Sequence, residues 1–163
     1  MIKGLHHNAY RCRDSEETRK FYEDFLGLPL AQSLWIKQST TGRRTDTLHT
    51  FYRMDDGSCL AFFEAPDMPF EFKAQHDYDL HIALEVKHED LLAMFEKGKR
   101  AGIETRGISD HGFIDSIYFR DPNGYVIELT AKREGTEGEV ARMKTQARHQ
   151  LDEWQAGKAK RAA

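Results

Sequence analysis

Apolar and polar positions along this chain alternate between a period of two and a period near 3.6. Residues 5–13 (LHHNAYRCR) alternate as a strand does, with His7, Ala9 and Arg11 on one face and His6, Asn8, Tyr10 and Cys12 on the other. From Asp14, a suitable N-cap with Glu17 three residues on, the apolar positions Thr18, Phe21, Tyr22 and Phe25 recur at helical spacing until Gly27 supplies a stop. Residues 29–36 are strand-like, the polar segment 37–46 reads as a mobile loop, and residues 48–54 and 58–64 predict a hairpin across Asp55-Asp56-Gly57. Residues 66–77, with Pro66 and Pro69 among scattered acids and aromatics, read as a linker.

The pattern then repeats. Residues 79–86 predict a strand with His81, Ala83 and Glu85 on one face, and residues 89–100 predict a helix with acids in its first turn and Lys97, Lys99 and Arg100 in its last. A short strand over 103–106 precedes a second hairpin, 114–120 and 125–130, turned by Asp121-Pro122-Asn123-Gly124. In its second strand Glu128 is a carboxylate among apolar residues, and a charge so placed needs a counter-charge or a metal. Matched element for element, the halves pair His7 with His81 and Glu64 with Glu128, and the second copy is shorter by about ten residues, a deficit assigned to the loop around Gly42. The expected architecture is α+β: two tandem βαβββ modules, residues 1–72 and 76–132, sharing one scaffold over about 4–131. A C-terminal helical extension occupies 133–163. In the extension Thr136 and Glu139 fit a capping box, and Val140, Met143, Ala147, Leu151 and Trp154 form a stripe suited to packing on the chain's own sheet or on a second subunit, with the residues from Lys158 onward frayed.

Composition narrows the function. At 163 residues, 39% hydrophobic and a formal charge of -3, the chain is an ordinary globular protein without a nucleic-acid footprint. No apolar run approaches the ~20 residues of a membrane span, and no signal peptide opens the chain, so the cytoplasm is the expected compartment. Cys12 and Cys59 are too few for a disulfide framework and read as reduced packing residues. The eight histidines change the picture more, because imidazole is the commonest metal ligand.

A lone strand histidine is usually a hydrogen-bonded core residue, but two histidines and two glutamates obeying one internal symmetry point to a shared cation. Nitrogen and oxygen donors without thiolate suit one divalent metal, Fe, Mn, Co, Ni or Zn, and argue against a closed structural zinc site. Four side chains on a hexacoordinate ion leave two positions for a substrate that chelates through two oxygens, such as an enediolate, and a glutamate that releases the metal could move a proton.

His7 and Arg11 before Asp14, then FYEDFLGLPL, LAFFEAP, LHIALEV and YFRDPNGYVIEL, together resemble the vicinal oxygen chelate superfamily: glyoxalase I, methylmalonyl-CoA epimerase, extradiol ring-cleaving dioxygenases, and fosfomycin and bleomycin resistance proteins. The resemblance runs from about His6 to Thr130. It implies a cup of paired βαβββ modules around one divalent metal, often with two subunits contributing, so that a homodimer acting on a small molecule is expected. His7, Glu64, His81 and Glu128 fall on the four metal positions of the glyoxalase I branch. Arg11 falls where that branch contacts glutathione, while Met68 stands where an amide would help, against glutathione as cosubstrate. Tyr118, with His111 nearby, falls where the ring-cleaving branch contacts substrate. The expected activity is a metal-dependent lyase or isomerase with Glu64 and Glu128 as its carboxylates. The alternative is an Fe(II) extradiol dioxygenase on His7, His81 and Glu128, in which Glu64 would occupy a position needed by substrate or O2. A third reading is a drug- or metabolite-binding protein without chemistry.

Overall fold

In a computed structural model, residues 1–73 and 76–161 are described, the last three of these by backbone alone. The chain runs β1 (Tyr10–Arg11), α1 (Ser15–Arg19) continued by a π-helical stretch (Lys20–Phe25), β2 (Leu30–Gln38), β3 (Arg44–Arg53), β4 (Cys59–Glu64), β5 (His81–Glu85), α2 (His88–Arg100), β6 (Thr105–Asp110), β7 (Ile114–Arg120), β8 (Val126–Lys132) and α3 (Glu137–Arg161). The strands form two four-stranded sheets, ordered β1-β4-β3-β2 and β5-β8-β7-β6. Each half is therefore strand, helix and three strands, the α+β tandem architecture the periodicity predicts.

Two compact units emerge, Met1–His81 with Arg120–Val126, and Ile82–Phe119 with Ile127–Ala163. In the first, β1 runs parallel to β4, which pairs antiparallel with β3, as β3 does with β2. Asp14 caps the helix, its Oδ1 accepting from the Glu16 and Glu17 N–H groups, and Phe21, Tyr22 and Phe25 bury their rings. Tyr22 packs 4.6 Å from Phe62 and 5.5 Å from Tyr52, ring centre to ring centre. The turn 120–126 belongs to this unit because its polar groups are used there. Tyr22 donates its hydroxyl proton to Asp121 at 3.0 Å, Arg13 N–H donates to Asn123 at 2.8 Å, and the Tyr125 hydroxyl donates to the Arg11 carbonyl at 2.8 Å. In the second unit α2 buries Leu91 and Gly98, and a Cβ on Gly98 would lie 2.5 Å from Phe119 Cε1, so glycine there permits close packing.

The structure departs from the sequence expectations in three places. The first strand shrinks to Tyr10–Arg11 plus an isolated bridge between His7 and Cys59. The loop expected over 37–46 contracts to a turn in which Ser39 N–H donates to the Arg43 carbonyl, because β2 and β3 continue as an exposed ribbon. Backbone ladder bonds need no apolar side chains, so the polar sequence there concealed strand. Helix α3 continues to Arg161 rather than fraying from Lys158, and on its apolar stripe Val140 is 45% and Leu151 49% exposed within the single chain. Parts of the expected linker (residues 74 and 75) and tail (162 and 163) lie outside the described residues. Among the described residues no helix is long and apolar enough to cross a membrane.

Candidate functional site

Paired residues of a sheet point to the same side. In the first unit, the pairings Arg11 with Phe63, His49 with Phe63, Phe51 with Ala61, and His7 with Cys59 therefore set His7, Arg11, His49, Phe51, Ala61 and Phe63 on one face. Tyr52, Leu60 and Phe62 occupy the other, against the helix. The exposed His7 ring meets Phe51 edge-on at 5.4 Å and His49 at 6.1 Å, and its Nδ1 lies 2.7 Å from His6 Nδ1.

Two histidines have a fixed tautomer. His81 Nδ1 lies 2.6 Å from the Asp77 carbonyl and His49 Nδ1 lies 3.0 Å from the Phe62 carbonyl. A carbonyl can only accept, so each ring donates from Nδ1, and in a neutral ring the lone pair is then on Nε2, the arrangement that orients metal-ligating imidazoles. His49 is in addition buried and stacked 3.6 Å from Phe63, and burial pushes its pKa below the ordinary value, which favours the neutral ring. Sequence reading passed over His49; its place two residues from both Thr47 and Phe51, on the His7 face, was the available signal.

In the second unit Glu128 is 7% exposed. Arg133 N–H donates to the Phe113 carbonyl, and Ser116 Oγ lies 3.5 Å from Thr130 Oγ1. That register sets Tyr118 directly across β7 and β8 from Glu128, and β6 places Arg106 across from Tyr118. Arg106, Tyr118 and Glu128 thus form one cross-strand row. The Arg106 guanidinium sits 5.4 Å from the Tyr118 ring centre, and the Tyr118 hydroxyl is 2.9 Å from His111 Nε2, so the structure brings the expected Tyr118 and His111 together.

Glu64 does not match Glu128. Cys12 N–H donates to the Phe63 carbonyl in one module as Val86 N–H does to the Thr130 carbonyl in the other. These equivalent bonds separate the first strands by 74 positions, which carries His7 onto His81, but the last strands by 67, as do the turn glycines Gly57 and Gly124. On that interval the counterpart of Glu128 is the fully buried Ala61, and the counterpart of Glu64 is Ala131. The Glu64 carboxylate accepts instead from the Ser15 N–H at 2.7 Å, at the N-terminus of α1. His7 pairs with Cys59, five residues short of Glu64, or about 16 Å at the rise of a strand. The sequence alignment was out by three positions, and counting from the turn glycines would have shown it. Likewise the shortfall of the second module is seven residues between strand histidine and turn glycine rather than ten, and it lies in the long β2–β3 ribbon.

Arg11 lies at the far end of the His7 face. Its Nη2 donates to the Ala65 carbonyl at 2.9 Å and the Met68 carbonyl at 2.7 Å, and its guanidinium covers Phe70 at 5.2 Å. Among the described residues no three His, Cys, Asp or Glu side chains gather as a metal cluster. His7 and His81 belong to the first unit and Glu128 to the second.

Residues 4–129 match the model of the Glyoxalase/Bleomycin resistance protein/Dioxygenase superfamily. The chain belongs to that superfamily. Its members similar to this chain include MhqA of Bacillus subtilis (strain 168), named as a ring-cleaving dioxygenase, 29% identical over 138 residues that make up 82% of this chain. Those residues span only 42% of MhqA, about two fifths of its length. The metallothiol transferase FosB of Bacillus licheniformis is 30% identical over 130 residues, 78% of this chain and 75% of FosB. Among solved superfamily structures, the fosfomycin resistance protein FosX of Mesorhizobium loti aligns with a TM-score of 0.61 at 24% identity, over 86% of this chain and 98% of that one. FosX of Listeria monocytogenes, solved with Mn(II) and sulfate, aligns at 0.59 and 24%, over 82% and 96%. These two likenesses establish the fold.

Proposed function

We propose that this superfamily member is a divalent-metal enzyme that opens a dihydroxylated aromatic ring with dioxygen, its metal held by His7, His81 and Glu128. The observation that carries the reading is Ala61: where internal symmetry would put a second carboxylate, a methyl group stands, leaving two imidazoles and one carboxylate. That donor set fits a metal of the Fe(II) or Mn(II) kind, and the Nδ1 bond of His81 presets Nε2 for it. A divalent ion held by these three side chains would supply Lewis acidity to a chelating substrate.

The chain's own groups supply the rest. Tyr118 lies in the Glu128 row with its hydroxyl hydrogen-bonded to His111, a pair able to hold or pass a proton beside the substrate. His49 adds a second acceptor on the His7 face. The lyase or isomerase expectation relied on Glu64 as a second metal carboxylate beside Glu128, and the Glu64 carboxylate accepts from the Ser15 N–H at the start of α1. A second reading is thiol transfer of the FosB type, favoured because the match covers most of FosB and less than half of MhqA.

Anaerobic loading with Fe(II) followed by oxygen uptake with a panel of catechols and hydroquinones tests the reading. Stoichiometric uptake, abolished in His81→Ala, is expected; iron-replete protein that consumes no oxygen with any of them refutes it. Thiol consumption with Mn(II), fosfomycin and a small thiol would establish the second reading instead. A homodimer belongs to the same proposal, and mixing His7→Ala with Glu128→Ala protein tells whether both modules of a site come from one chain. Restored metal binding in the mixture means that two chains share it.

A further inference from the structure

The match to the superfamily model ends at residue 129, and α3 lies wholly beyond it. The segment leading into the helix is tied to the start of β7 by the Arg133 N–H, which donates to the Phe113 carbonyl. From Val140 to Lys158 every residue except Met143 and Gly157 is exposed within the single chain. Helices in proteins draw most of their stability from packing one face, and the face α3 offers is the stripe of Val140, Met143, Ala147, Leu151 and Trp154. Val140, Ala147 and Trp154 stand seven residues apart with Met143 and Leu151 between them, so the stripe recurs every 3.5 residues on average. That is the period of a narrow seam between two helices, not of a broad side facing a core.

Charge along the helix selects the occupant of that seam. It comes in four alternating blocks: acidic at Glu137 and Glu139, basic at Arg142 and Lys144, acidic at Asp152 and Glu153, and basic at Lys158. A second α3 running the opposite way about a centre near residue 148 sets every block level with one of opposite sign. Glu139 then meets Lys158 of the second copy, and Arg142 and Lys144 meet its Asp152 and Glu153. A helix running the same way sets each block level with its own kind. The reversed register also brings Met143 against Trp154 and the small Ala147 against Leu151, so that bulk and space alternate across the seam. Arg148 falls at the centre, where Asp152 of its own helix holds it at 2.9 Å. Within one chain the other blocks pair with neighbours too, Arg142 with Glu139 at 4.0 Å and His149 with Glu153 at 3.5 Å, exposed contacts that are weak and can exchange across a seam.

We propose that α3 is a self-association element, through which two copies of this chain join with their C-terminal helices packed antiparallel along the stripe. The pairing needs neither the metal nor the reaction proposed above, so its test and theirs fail separately. Orientation is read by cross-linking. Full-length Ala147→Cys and Leu151→Cys proteins, each also carrying Cys59→Ser and keeping the buried Cys12, are mixed in equal amounts, oxidised and weighed by mass spectrometry. Disulfide-linked pairs containing one of each variant should outnumber both kinds of like pair together, because an antiparallel seam sets position 147 against position 151. Affinity is read by sedimentation equilibrium of the full-length protein. A reversible dimer is expected, weakened at least about tenfold by Leu151→Lys, which puts a charge into the seam while leaving the single chain's own packing alone. Arg142→Glu with Lys144→Glu should also weaken it, and adding Asp152→Lys with Glu153→Lys should restore it. A predominance of like pairs, or cross-linking no greater than that of Asp55→Cys on the exposed turn before β4, overturns the proposal. So does a protein that is monomeric at every concentration, or a dimer whose affinity neither Leu151→Lys nor the charge reversal changes.

Discussion

Glu64 and Glu128 look alike in the sequence, one near the end of each module's last strand, and the structure gives them separate work. The Glu64 carboxylate accepts from the Ser15 N–H at 2.7 Å, at the start of a helix whose next two free N–H groups are satisfied by Asp14 at 2.8 Å. Removing it leaves a partly buried donor without its charged acceptor and takes a negative charge from the positive end of the helix, a loss of about 1–2 kcal/mol. For a chain of this size that corresponds to a melting temperature lower by roughly 2–8 °C in Glu64→Ala, and by about half as much in Glu64→Gln, which keeps an acceptor oxygen. Metal content should be untouched. In Glu128→Gln the proposed centre loses one of its three ligands, and affinity for Mn(II) should fall at least tenfold. Thermal unfolding of metal-free protein and metal analysis after loading and desalting measure the two effects separately. Glu64→Ala protein that melts like wild type but loads less metal would refute the strand register on which the three-ligand centre rests.

Other consequences follow from particular contacts. Ala61→Glu places a carboxylate at the counterpart of Glu128, so it should tighten Mn(II) binding and reduce water exchange on the ion, read by proton relaxation; unchanged relaxation would contradict the proposed centre. Gly98→Ala would gain about 1 kcal/mol from helix propensity alone, yet its methyl would press on Phe119 and Thr105, so a net loss of roughly 1–3 kcal/mol in chemical denaturation is expected. Tyr22→Phe removes a buried bond to Asp121 and should cost about 1–3 kcal/mol by the same measurement. Burial raises the Asp121 carboxyl above its ordinary 3.8, so its ionised form burdens the fold. That burden is absent below 3.8 and grows as pH rises through the raised value, so the stability of wild type relative to Asp121→Asn should increase from pH 7 to pH 4. Burial also pushes the Cys12 thiol up to about 11, and a thiol reagent at pH 8 should modify Cys59 alone until the protein is unfolded.

Periodicity, caps and turn glycines were sufficient, in the sequence alone, for the order of elements and their duplication. These are local quantities: Asp14 caps its own helix, and Gly57 and Gly124 mark tight turns, wherever the remainder of the chain lies. His7 and His81 could be matched for the same reason, since each stands within one residue of the same distance ahead of its helix. Tertiary structure decided which groups share a surface. Whether Glu64 or Ala61 corresponds to Glu128 depends on strand register, and a slip of an odd number of residues sends a side chain to the opposite face. The bond from the Ser15 N–H to Glu64, the place of His49 beside His7, and the bonds of Arg11 to the Ala65 and Met68 carbonyls all join residues that are distant in sequence, and sequence spacing does not encode that proximity.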